Sequence, residues 1–143
     1  MSRPTPPARA EFGYWHRLSL RWSDNDVYGH VNNAIYYQWF DSAVNSFLVG
    51  KGLLDVMAGD PIALVVSTGC DYFAPLEYPG EVEIGLAVAD LGRSSVRYRI
   101  AAFAPGADEA AAAGHFTHVA VSRAERRPVP WPDAWRAVFE TLA

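Results

Sequence analysis

The stretch Arg21-Trp22-Ser23-Asp24-Asn25-Asp26-Val27-Tyr28-Gly29-His30-Val31-Asn32-Asn33-Ala34-Ile35-Tyr36-Tyr37 changes its period halfway through, and that change decides the architecture. Upstream, Tyr14, His16, Leu18, Leu20 and Trp22 alternate with Trp15, Arg17, Ser19 and Arg21, which is the period of a strand. Downstream, Ile35/Tyr36, Trp39/Phe40, Ala43/Val44 and Phe47/Leu48 recur as pairs every four residues and predict an amphipathic helix of about four turns. Ser23 to Asn33 lie between the two periods and are dense in side chains that bond their own backbone, so they read as a loop. Asn32 or Asn33 fits the N-cap, and Gly50 and Gly52 supply the stop. The apolar stripe is wide and aromatic, which calls for a sheet rather than a single partner helix.

Beyond the helix the chain reads as strands at Ile62–Ala74, Glu81–Leu91, Ser94–Ala104 and His115–Arg123. Turn chemistry separates them at Pro79-Gly80, Leu91-Gly92-Arg93 and Pro105-Gly106-Ala107-Asp108. Ile62 to Val66 is apolar without a break, which places that strand centrally in the sheet, covered on both faces. The run Ala110 to Ala113 reads as part of a hairpin loop. Pro132 opens a last helical pattern with Trp135, Val138, Phe139 and Leu142 on one face. The expected fold class is α+β, a five-stranded antiparallel sheet with one long central helix and a short C-terminal helix. Residues 1–12, with three prolines and no apolar period, are expected to form a flexible arm ahead of a single domain at 13–143.

Composition narrows the function. The 143 residues suit one domain, and a net charge of −4 lacks the basic field that nucleic-acid binding needs. Cys70 is the only cysteine, so there is no intrachain disulfide framework, and the residue reads as a small buried hydrophobe. The N-terminus lacks the apolar core of a signal peptide, and no stretch is long enough for a membrane span. A soluble, cytoplasmic protein with no membrane partner is expected.

The chemistry concentrates at Asp24 to Asn33, where a strand end meets a helix start. First-turn amides and the positive end of the helix dipole can stabilise negative charge developing on a carbonyl oxygen. A carboxylate a few residues upstream can then act at the carbon of that same carbonyl, and Asp24 and Asp26 are the candidates. Either also suits a turn cap, and His30 also suits a loop-fixing hydrogen bond. His115 and His118 lie three apart on a strand, point to opposite faces and cannot share an ion, so no metal site is expected. Arg93, with Ser94 and Ser95 beside it, reads either as solvated polarity or as a small phosphate-binding rim. Tyr36, Trp39 and Phe40 read as core, with a ligand-lining role open to them.

The run from Arg21 to Tyr37, with its Asp-x-x-Gly-His-Val-Asn-Asn core, resembles the hotdog-fold acyl-CoA thioesterases of the 4-hydroxybenzoyl-CoA thioesterase-like family. The likeness extends over about residues 13–141, through the Tyr78-Pro79-Gly80 turn and Arg127-Pro128-Val129-Pro130-Trp131-Pro132. It implies a sheet wrapped around the helix and subunits paired as a homodimer or homotetramer through continuous sheets, with active sites at the interface. It also implies an acyl-CoA substrate whose coenzyme A is its own carrier, with no further cofactor. On that pattern Asp26 is the catalytic carboxylate, the Asn33 backbone amide polarises the thioester carbonyl and His30 supports them. Tyr36 contacts substrate, and Arg93, Ser94 and Ser95 meet its phosphates. Where relatives carry a Glu and an Arg further along the helix, this chain has Asp41 and Val44, so that ion pair cannot form. A noncatalytic acyl-CoA binding module and a dehydratase or hydratase on the same scaffold are the competing expectations.

Overall fold

A computed structural model describes residues 4–143. Its elements are β1 (Tyr14–Ser19), α1 (Asn33–Gly50), β2 (Ile62–Tyr72), β3 (Glu81–Leu91), β4 (Ser95–Phe103), β5 (Ala112–Val121) and α2 (Asp133–Glu140). The strands form one sheet in the order β1-β3-β4-β5-β2, and every neighbouring pair is antiparallel. This is the expected α+β class.

The stripe expected on α1 is buried except at Ile35, which is partly buried. Tyr36, Trp39, Phe40, Ala43, Val44, Phe47 and Leu48 are all buried, together with Val82, Ile84 and Leu86 of β3 and Val96, Tyr98 and Ile100 of β4. Fully burying side chains of this size contributes about 1.5–3 kcal/mol each. Tyr14 of β1 meets Phe47 edge-on, with ring centroids 4.9 Å apart, which seats the helix across the first strand as well. Asn32 is the N-cap, its side chain accepting from the Ala34 amide, and the chain leaves α1 through Lys51 before Gly52 turns it at φ +73°. Trp135 and Phe139 anchor α2 against Trp131 and Tyr98.

Three expectations need correction. First, β2 is an edge strand, not a central one, and Leu64, Val65 and Val66 are 38%, 50% and 62% exposed. An unbroken apolar run reports that both faces avoid water, but it cannot say whether the cover comes from within the same chain. Second, Ala110 and Ala111 are buried, and Ala112 and Ala113 open β5 against Tyr72 and Asp71. Short apolar side chains carry too weak a period to be told from a loop.

Third, the expected flexible arm is docked from Pro7 to Phe12. The Arg9 amide donates to the Asp108 carbonyl at 2.8 Å and the Ala110 amide to the Pro7 carbonyl at 3.0 Å. The Arg9 guanidinium pairs with Glu83 at 2.8 Å and lies over the Trp15 and Phe103 rings. The Gly106 amide, followed by Arg9, holds the Glu83 carboxyl down at about 2. Phe12 packs with Ala87, Ala101, Phe103 and Ala110 in a second apolar cluster, in a seat open because residue 85 is glycine. Isolated anchors of this kind leave no periodic trace in a sequence. Residues 1–3 of the expected arm lie outside the described residues.

His118 carries a pH-dependent consequence. It sits in the core with its ring edge-on to Phe116 and Tyr98, and its Nδ1 has no partner among the described residues. Burial pushes its pKa down from 6.5 to about 4. Between those values the unfolded chain binds a proton that the folded chain refuses, so stability is lost as pH falls through that window. The loss should approach about 3 kcal/mol near pH 4. Chemical denaturation from pH 7 to pH 4 should show this decline, and His118→Phe should flatten it. An equal slope in the variant would assign the acid sensitivity to other groups.

Candidate active site

The chain leaves β1 at Ser19 and must reach the start of α1 at Asn33. Leu20 is fixed by donating its amide to Gly80 at 2.8 Å, and Val31 by donating to Leu76 at 2.7 Å. Side chains do the rest of the work in this loop. Asp24 is fully buried, accepting from the Arg21 amide at 2.8 Å on one oxygen and from the Arg21 guanidinium at 2.9 to 3.0 Å on the other. Its carbonyl accepts from Asn32 at 2.9 Å. Asp24 therefore organises the loop and presents no carboxylate to a ligand.

Asp26 is placed differently. Its amide donates to the His30 carbonyl at 3.0 Å, and its carbonyl accepts from Gly29 at 3.0 Å, in a turn completed by Gly29 at φ +83°. The carboxylate accepts from the Tyr28 amide through Oδ1 at 2.9 Å and from Asn32 Nδ2 through Oδ2 at 3.2 Å. A carboxylate has about four acceptor sites, so each oxygen keeps one for a ligand. Asp26 faces an open groove of about 400 Å³ that it lines with Trp22, Asn25 and Val27.

Asn33 is the first residue of α1, so no carbonyl four residues back lies within the helix to accept from its amide. Its own carbonyl accepts from the Tyr72 hydroxyl at 2.8 Å, tying the helix start to the end of β2. His30, Asn33, Tyr36 and Tyr72 line a second groove of about 310 Å³, which ends at Phe73, Ala74 and Pro75. Tyr36 lies edge-on to Tyr72 with ring centroids 5.0 Å apart, and burial, then Cys70 nearby, pushes its pKa up to about 12. Both therefore stay neutral phenols near neutral pH. Cys70, half-buried behind them, has its thiol pushed up to about 11, chiefly by burial, which makes it a packing residue.

The structure thus brings Asp26, His30, Asn33 and Tyr36 to one end of the sheet. It does not bring Arg93, Ser94 and Ser95 there within one chain. They turn β3 into β4, at the other end of an eleven-residue strand that spans about 35 Å. Their carbonyls are tied locally, Arg93 accepting from Trp131 at 2.9 Å and Ser94 from Ala120 at 2.7 Å. From the sequence Asn32 reads only as a cap, and Tyr72 stands in no motif. The signal available for Tyr72 is strand alternation, which puts it on one face with Cys70 and Thr68. Among the described residues no three His, Cys, Asp or Glu side chains converge as metal ligands, and no helix is long and apolar enough to cross a membrane.

A sheet curled around one long helix, with a carboxylate loop feeding that helix's N-terminus, is the arrangement of a hotdog-fold thioesterase. A model of the thioesterase-like superfamily matches residues 20–139, and the chain belongs to that superfamily. The crystal structure of the PA5185 protein from Pseudomonas aeruginosa strain PAO1 is similar at a TM-score of 0.93 and 49% identity, covering 96% of each chain. Slr0204, a 1,4-dihydroxy-2-naphthoyl-CoA thioesterase from Synechocystis, shares the fold at a TM-score of 0.79 and 20% identity, over 90% of this chain and 96% of that one. The uncharacterized protein YsmA of Bacillus subtilis strain 168 is 24% identical over 126 residues, 87% of this chain and 84% of that protein. Superfamily membership points to thioester hydrolysis as the general chemistry.

The two aspartates can be told apart by experiment. Asp24→Asn removes a charge buried against Arg21 and leaves part of its hydrogen bonding unmade, which should cost about 1–3 kcal/mol of stability in urea denaturation. Loss of hydrolysis at unchanged stability would move the chemistry from Asp26 to Asp24.

Proposed function

We propose that the protein is an acyl-CoA thioesterase in which Asp26 is the catalytic carboxylate and the Asn33 backbone amide receives the developing oxyanion. The observation that carries this reading is the Asp26 carboxylate, held by one protein donor on each oxygen, open to a groove, and six to seven residues ahead of a capped helix start. A thioester carbonyl bound between the two elements would receive attack either from Asp26 itself, giving an acyl-enzyme anhydride that water opens, or from a water that Asp26 deprotonates. In both routes negative charge gathers on the carbonyl oxygen, where a helix N-terminal amide stabilises it most, and coenzyme A departs as the thiolate. His30 supports the loop through its carbonyl bond to the Asp26 amide. That a Synechocystis protein of the same fold is a CoA thioesterase agrees with this reading.

The working unit in this proposal is an oligomer. The β2 edge leaves Val65 and Val66 open to water, and the loop beside Asp26 exposes Trp22, Val27 and Tyr28 to 83%, 94% and 83%. An unpaired apolar edge strand invites a strand from another copy, which would extend the sheet and bring a second subunit toward the Asp26 groove. The Arg93 rim, remote within one chain, would then contact a ligand only from another subunit.

Two measurements bear on this. Thiol release from a panel of short, long and aromatic acyl-CoAs should detect hydrolysis, and Asp26→Asn should lower kcat by about a hundredfold or more in a protein that still folds. Binding of acyl-CoA without thiol release would support a noncatalytic module instead. Val66→Lys, which puts a charge on the β2 edge, should convert the oligomer to monomer in light scattering and reduce hydrolysis with it. A fully active monomer would show that one chain suffices.

A further inference from the structure

We infer that Asn32 is a positioning residue that sets both halves of the site at once, a role resting on the assignment of Asp26 and the Asn33 amide given above. Its side-chain amide spans the two. Oδ1 accepts from the Ala34 amide at 3.0 Å, and Nδ2 donates to Asp26 Oδ2 at 3.2 Å. Rotating the amide by half a turn would set its NH2 against the Ala34 N–H and its oxygen against the carboxylate, losing both bonds to repulsion. Only one orientation satisfies both neighbours. The residue itself is held in place by its backbone N–H, which donates to the carbonyl of the buried Asp24 at 2.9 Å.

Consequences follow at each end. At Asp26, the Tyr28 amide on Oδ1 and Asn32 Nδ2 on Oδ2 together fix the plane of the carboxylate, where a single donor would leave it free to swing. At the helix, the Ile35 amide donates to the Asn32 carbonyl at 3.0 Å, while Ala34 donates to the Asn32 side chain. Two of the first three amides of α1 are therefore taken by this one residue, which leaves the Asn33 amide as the first-turn donor for a ligand. Asn32 thus selects which amide of the helix start meets the oxyanion and fixes the carboxylate that works beside it. An N-cap acceptor alone does not require asparagine, since serine and aspartate cap as well. The donor toward Asp26 does.

That difference supplies the test. Asn32→Ser retains a cap acceptor for Ala34, and its side chain, one bond shorter, no longer places a donor at Asp26 as Nδ2 does. It should melt close to the parent protein, yet hydrolyse acyl-CoA with kcat reduced about tenfold or more and KM changed by less than about twofold. A residue that only capped the helix would leave kcat unchanged in this variant. Parental kcat in folded Asn32→Ser, or a rise in KM at constant kcat, would overturn the positioning role. Asp26→Asn run alongside separates the two levels: if it retains activity, the site assignment itself has failed. If it is inactive while Asn32→Ser is fully active, the site stands and the role of Asn32 does not.

Discussion

Burial of the α1 stripe sets the geometry of this fold. Tyr36, Trp39, Phe40, Ala43, Val44, Phe47 and Leu48 occupy nearly half the circumference of the helix, and only a curved sheet can cover so broad a face. Once the helix lies in that sheet, its N-terminus is fixed at the end where β1 leaves and β2 finishes. The bond from the Tyr72 hydroxyl to the Asn33 carbonyl and the one from Val31 to Leu76 pin it there. The candidate site lies at that junction because the helix end and the loop have no freedom left to be elsewhere.

The loop between β1 and α1 is ordered by polar groups where the rest of the chain is ordered by apolar ones. Buried Asp24 accepts from the Arg21 amide, Asn25 reaches the Gly29 carbonyl and receives the Tyr78 amide, and Asp26 closes its own turn. Each such bond satisfies a backbone group that regular structure would otherwise have satisfied. Asp24 and Asp26 are two residues apart and chemically identical, yet one is neutralised by a guanidinium inside the loop and the other faces a groove.

The two long surfaces of the sheet are treated unequally. On one lies the helix. On the other, the segment from Pro7 to Phe12 covers Ala87, Ala101 and Phe103, clamped by Arg9 to Glu83 and by Glu11 to Arg99 at 2.6 Å. Among the described residues nothing covers the β2 edge in this way, and its exposed valines sit on the strand that also carries Tyr72. The same strand thus provides the unpaired edge and one wall of the groove beside the helix start.

Read along the chain alone, the sequence already carries the main helices and strands, the stripe that α1 buries, and the dense polar loop from Asp24 to Asn33 ahead of it. Those features are local, because hydrophobic period and capping chemistry act within a few residues. Relations between distant residues come only from the folded chain. The apolar run from Ile62 to Val66 looks the same at the centre of a sheet and at its edge, and only strand order places it at the edge. The rim at Arg93 to Ser95 falls a strand length from Asp26 because antiparallel pairing sends each hairpin turn to the opposite end. Asn32 could be read as a cap from its position ahead of the stripe. Its second bond, to a carboxylate six residues earlier, exists only because the loop folds back on itself.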